Sequence, residues 1–371
     1  MSTATTTSAQ VAEAVKRLAP DWPYDETRPG YDMDDRPDLP VFKGEERLNT
    51  ALAVLQKEIG PVFEKADTEA LSHQWLHRRL TMVAAVSGAF AVLFSITQLI
   101  FPSLGHWRWM SVAEVGVTGV ALLVVIFGVR AAIQINWLLE RFRAERLRQL
   151  KFTLLLHEDL WGDRVEVWQA HVRQSVRAIQ QMDRKAMEVW VDQDRVHLSE
   201  KEKSGCVLES GLLRALTGFY IAKRLGYQMA YFERRSRQHG GKDRWLRLWP
   251  SRCFYGSVAA VALHYLTKLL PIRSEEVEWL SLAFIFLAFA LPVAGTCVRT
   301  LRSALELGRS ASLFHAKYSA LQNLLARLQS ELETDPVRSV EVMNSMAACE
   351  DFLEAEQREW LRLMREAEWF G

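Results

Sequence analysis

Residues 82–101 read MVAAVSGAFAVLFSITQLIF and contain no charged side chain. Three further apolar stretches lie at residues 112–129, 253–272 and 279–298. Each is close to the roughly 20 residues that a helix needs to cross about 30 Å of hydrocarbon. The four stretches therefore predict an all-α protein with four transmembrane helices arranged in two hairpins.

Lysine and arginine residues indicate how these helices are oriented. They are concentrated before the first and third stretches and after the second and fourth: Arg78, Arg79, Arg130, Arg141, Arg143, Arg146, Arg148, Lys151, Arg234, Arg235, Arg237, Lys242, Arg244, Arg247, Arg252, Arg299 and Arg302. Arg108 and Arg273 are the only lysine or arginine residues in the two short connecting loops. Because basic residues stay on the cytoplasmic side, both termini are expected in the cytoplasm of a bacterial inner membrane.

The two predicted hairpins resemble each other. An offset of 169 residues brings Pro102 onto Pro271 and Arg130 onto Arg299. Similar turns can also arise by convergence, so the pattern leaves duplication and convergence open. In either case one chain supplies two equivalent hairpins.

The sequence divides into five parts along the chain. Residues 1–44 form an N-terminal tail with a Pro/Asp-rich segment, and residues 45–137 form the first hairpin with a flanking helix. A cytoplasmic helical region follows at 138–251, then the second hairpin at 252–299 and a C-terminal helical hairpin at 300–371. We expect the second span to continue as a helix into the cytoplasm, and the residues 239–241, His-Gly-Gly, to form a loop.

The C-terminal part carries apolar residues at heptad spacing. Those expected to mediate packing or oligomerisation are Leu321, Leu325, Leu328, Leu353 and Trp360. Such a seam fits a cytoplasmic helical bundle or a coiled coil. It permits intramolecular packing against the other helices or self-association in a homo-oligomer.

Ionisable residues inside the predicted spans are the best site candidates, because a charge in hydrocarbon is costly. These are Glu114 in the second span, and His264 and Lys268 in the third. His264 and Lys268 are four residues apart and so share a helix face. They are expected to line a pore or a subunit contact, or else to sit at the membrane interface.

A basic stretch with interleaved tryptophans precedes the third span. Its basic residues are Arg234, Arg235, Arg237, Lys242, Arg244, Arg247 and Arg252, and Trp245 and Trp249 lie among them. Clusters of this kind bind the anionic headgroups of the cytoplasmic leaflet. The stretch predicts contact with the lipid bilayer.

Catalytic signatures are missing from the sequence. There is no P-loop, no dinucleotide-binding GxGxxG, no GxSxG and no HExxH, and the four cysteines lack zinc-site spacing. A formal net charge of +1 argues against binding nucleic acid through bulk charge. The sequence predicts no enzyme, no cofactor, no metal site and no nucleic-acid partner.

Two stretches resemble a known family. Residues 220–235 read YIAKRLGYQMAYFERR, and residues 352–360 read FLEAEQREW after Tyr318 and Leu321. They resemble SLATT proteins, two-transmembrane effectors found beside nucleotidyltransferases and SLOG sensor domains in bacterial conflict systems. The resemblance covers residues 215–369, and this chain differs in having two hairpins and no SLOG domain.

The resemblance implies a function. It suggests an anti-phage membrane effector that oligomerises and permeabilises or depolarises the inner membrane on a cytoplasmic trigger. The sensor, or a nucleotidyltransferase, is then expected to be encoded nearby. The alternatives are a membrane-anchored helical scaffold and an ion channel without a role in defence.

Overall fold

A computed structural model describes residues 8–20, 22, 24, 25, 27, 28, 30–39, 44–101, 108–193, 207–269, 275–304, 307–334 and 338–366. All regular secondary structure in this part of the chain is helical, with no strand, which confirms the predicted all-α class. The chain divides into two compact units. The first unit comprises residues 1–72, 135–236 and 312–366, and the second comprises 73–134, 237–311 and 367–371.

Twelve α-helices and one π-helical turn make up the described residues. In chain order they are α1 (Ser8–Leu18), α2 (Glu46–Ile100), α3 (Arg108–Arg130), α4 (Ile133–Leu155), α5 (Glu158–Trp161), α6 (Val165–Gln181), α7 (Arg184–Asp192), α8 (Ser210–Tyr220), the π-turn (Ile221–Gly226), α9 (Tyr227–Leu269), α10 (Glu275–Ala304), α11 (Leu307–Leu332) and α12 (Ser339–Glu366).

The helices of the first unit form where apolar residues recur at helical spacing. In α6 the buried residues are Trp168, Val172, Val176 and Ile179, which lie on one face. Helix α7 begins at an N-cap aspartate, Asp183, whose side chain accepts a hydrogen bond from the backbone of the third helical residue. The local sequence therefore fixes both the face and the start of these short helices.

One large apolar core holds the first unit together. It joins α1, α2, α4, α6, α8, the π-turn, α11 and α12, and its fully buried members include Leu52, Leu147, Phe219, Leu321 and Met346. A smaller cluster forms around Phe142, where Trp137 meets Trp360 edge to face. The first unit is thus a bundle built from three separate stretches of the chain.

Within the second unit, contacts run between antiparallel helices. Ser95 and Gln98 of α2 bond to Glu114 of α3. Along α9 and α10, Ser257 donates to the Ala288 carbonyl at 2.7 Å. Nearer the other end of the same helices, Asp243 of α9 pairs with Arg302 of α10.

Three helices are long and apolar enough to cross a membrane. They lie within Glu46–Ile100, Trp109–Arg130 and Glu275–Leu332, with mean hydropathies of 2.0, 2.4 and 2.2. Only 0 %, 6 % and 11 % of the residues in their apolar windows are buried inside the protein. Long apolar surfaces left uncovered by protein are typical of lipid-facing helices.

The fourth expected span, on α9, is not apolar enough over its described residues to count as a candidate membrane span. Its described part, residues 253–269, is less apolar because it contains Tyr255, His264, Tyr265 and Lys268. The arrangement of four spans in two hairpins therefore stays a prediction. Pro102, Pro271 and Arg273, on which the predicted loops depend, lie outside the described residues, as does the side chain of Arg108.

Two local expectations are wrong. The second span does not continue into the next helix: α3 ends at Arg130, and Ala132 adopts φ 46° before α4 begins. Residues 239–241 do not form a loop, because α9 runs through them without interruption. A Cβ atom at Gly240 would lie 3.8 Å from Ala311, an ordinary contact distance, and one at Gly241 would meet nothing within 4 Å, so neither glycine is required by packing.

Candidate functional site

Glu114 forms a polar centre between two apolar helices of the second unit. One carboxylate oxygen accepts a hydrogen bond from the Ser95 hydroxyl, and the other accepts one from the Gln98 amide at 2.7 Å. The Gln98 carbonyl oxygen in turn accepts from the Ser111 hydroxyl at 3.3 Å. Each carboxyl oxygen of Glu114 therefore has its own hydrogen-bond partner on α2.

Helical geometry explains how this centre forms. Ser95 and Gln98 are three residues apart on α2, so they lie on the same face, towards α3. Glu114 is six residues from the start of α3, roughly 9 Å along the helix at 1.5 Å per residue. The ionisable group therefore lies near one end of a candidate membrane span, within two turns of its first residue, and bonds to a second candidate span.

The structure separates the other two intramembrane candidates. His264 faces α10, with its Nδ1 atom 2.8 Å from the Ser281 hydroxyl, and Ser281 is buried. Lys268, one helical turn further on, is exposed. The described residues place no direct contact among Glu114, His264 and Lys268.

The sequence repeat relates these two polar contacts. The 169-residue offset that brings Pro102 onto Pro271 also brings Ser95 onto His264. Ser95 bonds to the helix that follows its own in the chain, α3, and His264 bonds to the helix that follows its own, α10. The partners are not equivalent, because the same offset brings Val112, and not Glu114, onto Ser281. Duplication and convergence therefore both stay open.

The basic stretch lies on the continuous helix α9. Arg235 is partly buried, with its guanidinium above the Tyr231 ring, whereas the remaining basic residues are exposed: Arg234, Arg237, Lys242, Arg244, Arg247 and Arg252. Trp245 and Trp249 are in contact with each other, and their ring centroids are 5.5 Å apart. An exposed helical surface of arginines and tryptophans is thus continuous with the apolar residues that follow from Cys253.

The predicted packing residues lie inside the first unit. Leu321, Leu325 and Leu328 are buried in its large core, and Leu353 packs against the same core. Trp360 packs against the smaller cluster through Trp137. These contacts favour the intramolecular alternative for the heptad seam.

The first unit also contains a buried ionic centre that the sequence analysis missed. Its anions are Asp32, Asp35 and Asp38, which are 0 %, 0 % and 4 % exposed. We call residues 30–39 the aspartate segment. Its backbone folds on itself through hydrogen bonds from Met33 to Gly30 and from Leu39 to Asp35, and these turns direct every third residue inward.

Three buried cations face the aspartate segment: Arg148 and Lys151 from α4, and Lys223 from the π-turn. We call these three the cationic groove. Arg148 Nε lies 2.7 Å from Asp32, and Lys151 Nζ lies 2.7 Å from Asp35. Lys223 pairs with Asp38 and lies 3.4 Å from the nearer oxygen of Asp35.

The electrostatics of the centre follow from burial and pairing. Burial lowers the pKa of Lys223, although Asp35 and Asp38 act in the opposite direction. Burial opposes ionisation of Asp38, but hydrogen bonds from Arg28 and Lys223 outweigh it and keep its pKa below the ordinary value. The charges of Lys223 and Asp38 therefore stabilise each other against the cost of burial.

Two signals in the sequence point to this centre. One is the adjacent pair Lys223 and Arg224 within an otherwise apolar helical stretch, and the other is the three-residue spacing of the aspartates. The π-turn directs the paired cations to different partners: Lys223 to the aspartate segment and Arg224 to Glu350 of α12. π-Helical turns occur frequently at functional sites.

Comparisons of the chain with protein-family models, curated proteins and solved structures give no match. The resemblance to SLATT proteins stays a prediction.

Proposed function

We propose that this chain is a membrane effector of a bacterial conflict system, which oligomerises and permeabilises or depolarises the inner membrane on a cytoplasmic trigger. In this proposal α9 provides the fourth span, and both termini lie in the cytoplasm. The basic residues flanking the spans support that orientation, and the SLATT resemblance supports the role in defence. A sensor encoded nearby would supply the trigger.

The observation that carries the proposal is the Glu114 centre. An ionisable side chain within a membrane span is costly, and such residues mark ion pathways. Ser95 and Gln98 hold both carboxylate oxygens of Glu114 between two apolar helices. A fixed negative group at this depth would attract cations into an assembled pore.

The experiment is inducible expression in a bacterial host, with membrane potential followed by a voltage-sensitive dye. Once the genomic neighbours and phage supply the trigger, we expect rapid depolarisation by the wild type and at least tenfold slower depolarisation by Glu114→Gln at equal membrane content. Glu278→Gln makes the same chemical change at an exposed position in the first turn of α10 and should behave as wild type.

Three other outcomes contradict the proposal. If the wild type stays silent with its genomic neighbours present and during phage challenge, the effector role is wrong and the scaffold alternative gains support. A steady, ion-selective conductance without growth arrest would instead support the channel alternative. Equal rates of depolarisation by wild type and Glu114→Gln would show that Glu114 takes no part in the ion pathway.

We further propose that the basic surface of α9 binds anionic phospholipid. Each lysine or arginine near such a surface contributes about 1 kcal/mol, and Trp245 and Trp249 suit the headgroup level. The double variant Arg244→Gln/Arg247→Gln should retain less phosphatidylglycerol through purification in mild detergent. Arg338→Gln, an exposed change in the first unit, should retain the wild-type amount, and equal retention by all three proteins would contradict the assignment.

A further inference from the structure

The aspartate segment contacts the helices around it through side chains, whereas its own turns are closed by backbone hydrogen bonds. Its attachment to the surrounding helices is made by the three buried ion pairs and Gln56 of α2, which accepts from the Asp35 backbone amide at 3.0 Å, together with Met33 in the large core and Tyr31 against Tyr227 of α9. The segment can therefore leave without breaking any backbone hydrogen bond of the surrounding helices.

The cationic groove recognises the shape of the segment as well as its charge. Lys151 Nζ donates to the Asp32 carbonyl at 2.7 Å, and Lys223 Nζ donates to the Tyr31 carbonyl at 2.7 Å. Both ammonium groups thus bind a turn carbonyl and a carboxylate together. An acidic segment in another backbone conformation would satisfy only part of this hydrogen bonding.

Buried ion pairs of this kind add little net stability over apolar contacts, but they are sensitive to the loss of one partner. Replacing a buried ion pair by apolar residues is often neutral or stabilising, whereas removing one partner is strongly destabilising. A segment held by three such pairs is therefore bound firmly while all its charges match. It becomes weakly bound when one of them is neutralised.

We propose that the cationic groove is a recognition site for an acidic, turn-forming segment, and that residues 30–39 are its ligand in cis and undock as a unit while the helices stay folded. Undocking is the cytoplasmic step that activates the membrane effector. This second statement rests on the proposed function, whereas the recognition site does not.

Neighbouring aspartates provide a matched test of the site. Asp35 is buried against Lys151 and Lys223, whereas Asp34 pairs with the exposed Arg36. Hydrogen exchange of the full chain in detergent should show residues 30–39 exchanging at least tenfold faster in Asp35→Asn than in wild type. Asp34→Asn should change this exchange less than twofold, and α4 and α8 should be unaffected in both variants.

Two results would overturn the recognition site. In one, Asp35→Asn accelerates exchange in α4 and α8 by the same factor, which makes the segment an ordinary part of the folding core. In the other, Asp34→Asn has the same effect as Asp35→Asn, so that burial against the groove is irrelevant.

Ion flux through liposomes containing the same proteins distinguishes the two proposals. Faster flux in Asp35→Asn than in wild type, with Asp34→Asn conducting as the wild type does, supports activation by undocking. If exchange behaves as expected but no protein conducts, the recognition site stands and the effector proposal fails. If the proteins conduct but Asp35→Asn conducts no faster than wild type, activation by undocking is wrong and the effector proposal stands.

Discussion

Arg224 and Glu350 lie 126 positions apart in the chain and form a two-point ion pair inside the first unit. Arg224 Nε and Nη2 reach the two carboxylate oxygens at 2.8 and 2.7 Å. The Tyr220 hydroxyl donates to the same carboxylate at 2.7 Å. Because both charged side chains are buried, this pair attaches the π-turn to α12.

We predict that Arg224→Lys lowers the free energy of unfolding by about 1–3 kcal/mol, because an ammonium group cannot reproduce the planar two-point contact. Arg224→Met should cost about 3–5 kcal/mol, since it leaves Glu350 charged and buried. Urea unfolding in detergent measures both. Arg338→Lys is the control, because its pair with Glu341 is exposed; a loss equal to that of Arg224→Lys would contradict the prediction.

Acid sensitivity should depend on Glu145. Burial opposes its ionisation, but Arg141 and Arg148 outweigh this and lower its pKa to about 2. Its contribution to stability is complete above about pH 4.5 and is lost as the pH falls from there towards 2. Glu145→Gln should therefore be about 3 kcal/mol less stable than wild type at pH 6.

The same difference should shrink as the pH falls from 5 to 3, because protonation then removes the advantage of the wild type. Unfolding measured at pH 6, 4 and 3 checks the trend. Glu341→Gln, at an exposed pair, should show no such convergence with wild type. A constant difference across this range would mean that Glu145 stabilises the protein through something other than its charge.

Two glycine-to-alanine substitutions should change the stability of the protein in opposite directions. A Cβ atom at Gly226 in the π-turn would lie 2.6 Å from the Val15 side chain of α1. Valine is stiff, so Gly226→Ala should displace α1 and destabilise by about 1–3 kcal/mol. Gly241→Ala meets nothing within 4 Å in helix α9 and should stabilise by about 0.5–1 kcal/mol. Thermal unfolding measures both variants. Melting temperatures that move in the same direction would contradict the packing argument.

The positive φ angle that follows the end of α3 should reduce the stability of the protein. Among the described residues, Ala132 is the one non-glycine residue with positive φ, at 46°. Left-handed geometry costs a non-glycine residue about 1–2 kcal/mol, so Ala132→Gly should stabilise by up to about 1 kcal/mol after the larger chain entropy of glycine is deducted. Ala131→Gly, next to it, should destabilise by about 0.5–1 kcal/mol. Melting temperatures of the pair should move in opposite directions.

Periodicity and composition are enough to predict much of this fold. The uncharged run at residues 82–101 predicts the apolar half of α2, because no soluble core requires so long a run. The steps of four and three between Leu321, Leu325 and Leu328 predict a buried stripe, and these residues lie in the core. Both signals depend only on neighbouring residues along one helix.

The remainder depends on long-range contacts. Asp35 in a Pro/Asp-rich stretch resembles a solvated surface residue until Lys151 and Lys223, 116 and 188 positions away in the sequence, lie against it. The break at Ala132 has no glycine or proline to mark it. In the Glu114 centre the carboxylate is visible in the sequence, whereas its donors Ser95 and Gln98 are small polar residues that many membrane helices contain.

The interleaving of the two units has a consequence for biogenesis. The first unit is assembled from three stretches of chain, and residues 237–311 of the second unit are synthesised between the last two of them. At about 5–20 residues per second, Arg224 leaves the ribosome roughly 6–25 s before Glu350. During that interval the Arg224 guanidinium lacks its carboxylate partner while the rest of α9 and the candidate membrane span of α10 are still being synthesised. The bundle therefore cannot close until α10 has left the ribosome, and a pause in translation over that stretch would leave the nascent first unit open to chaperones and proteases.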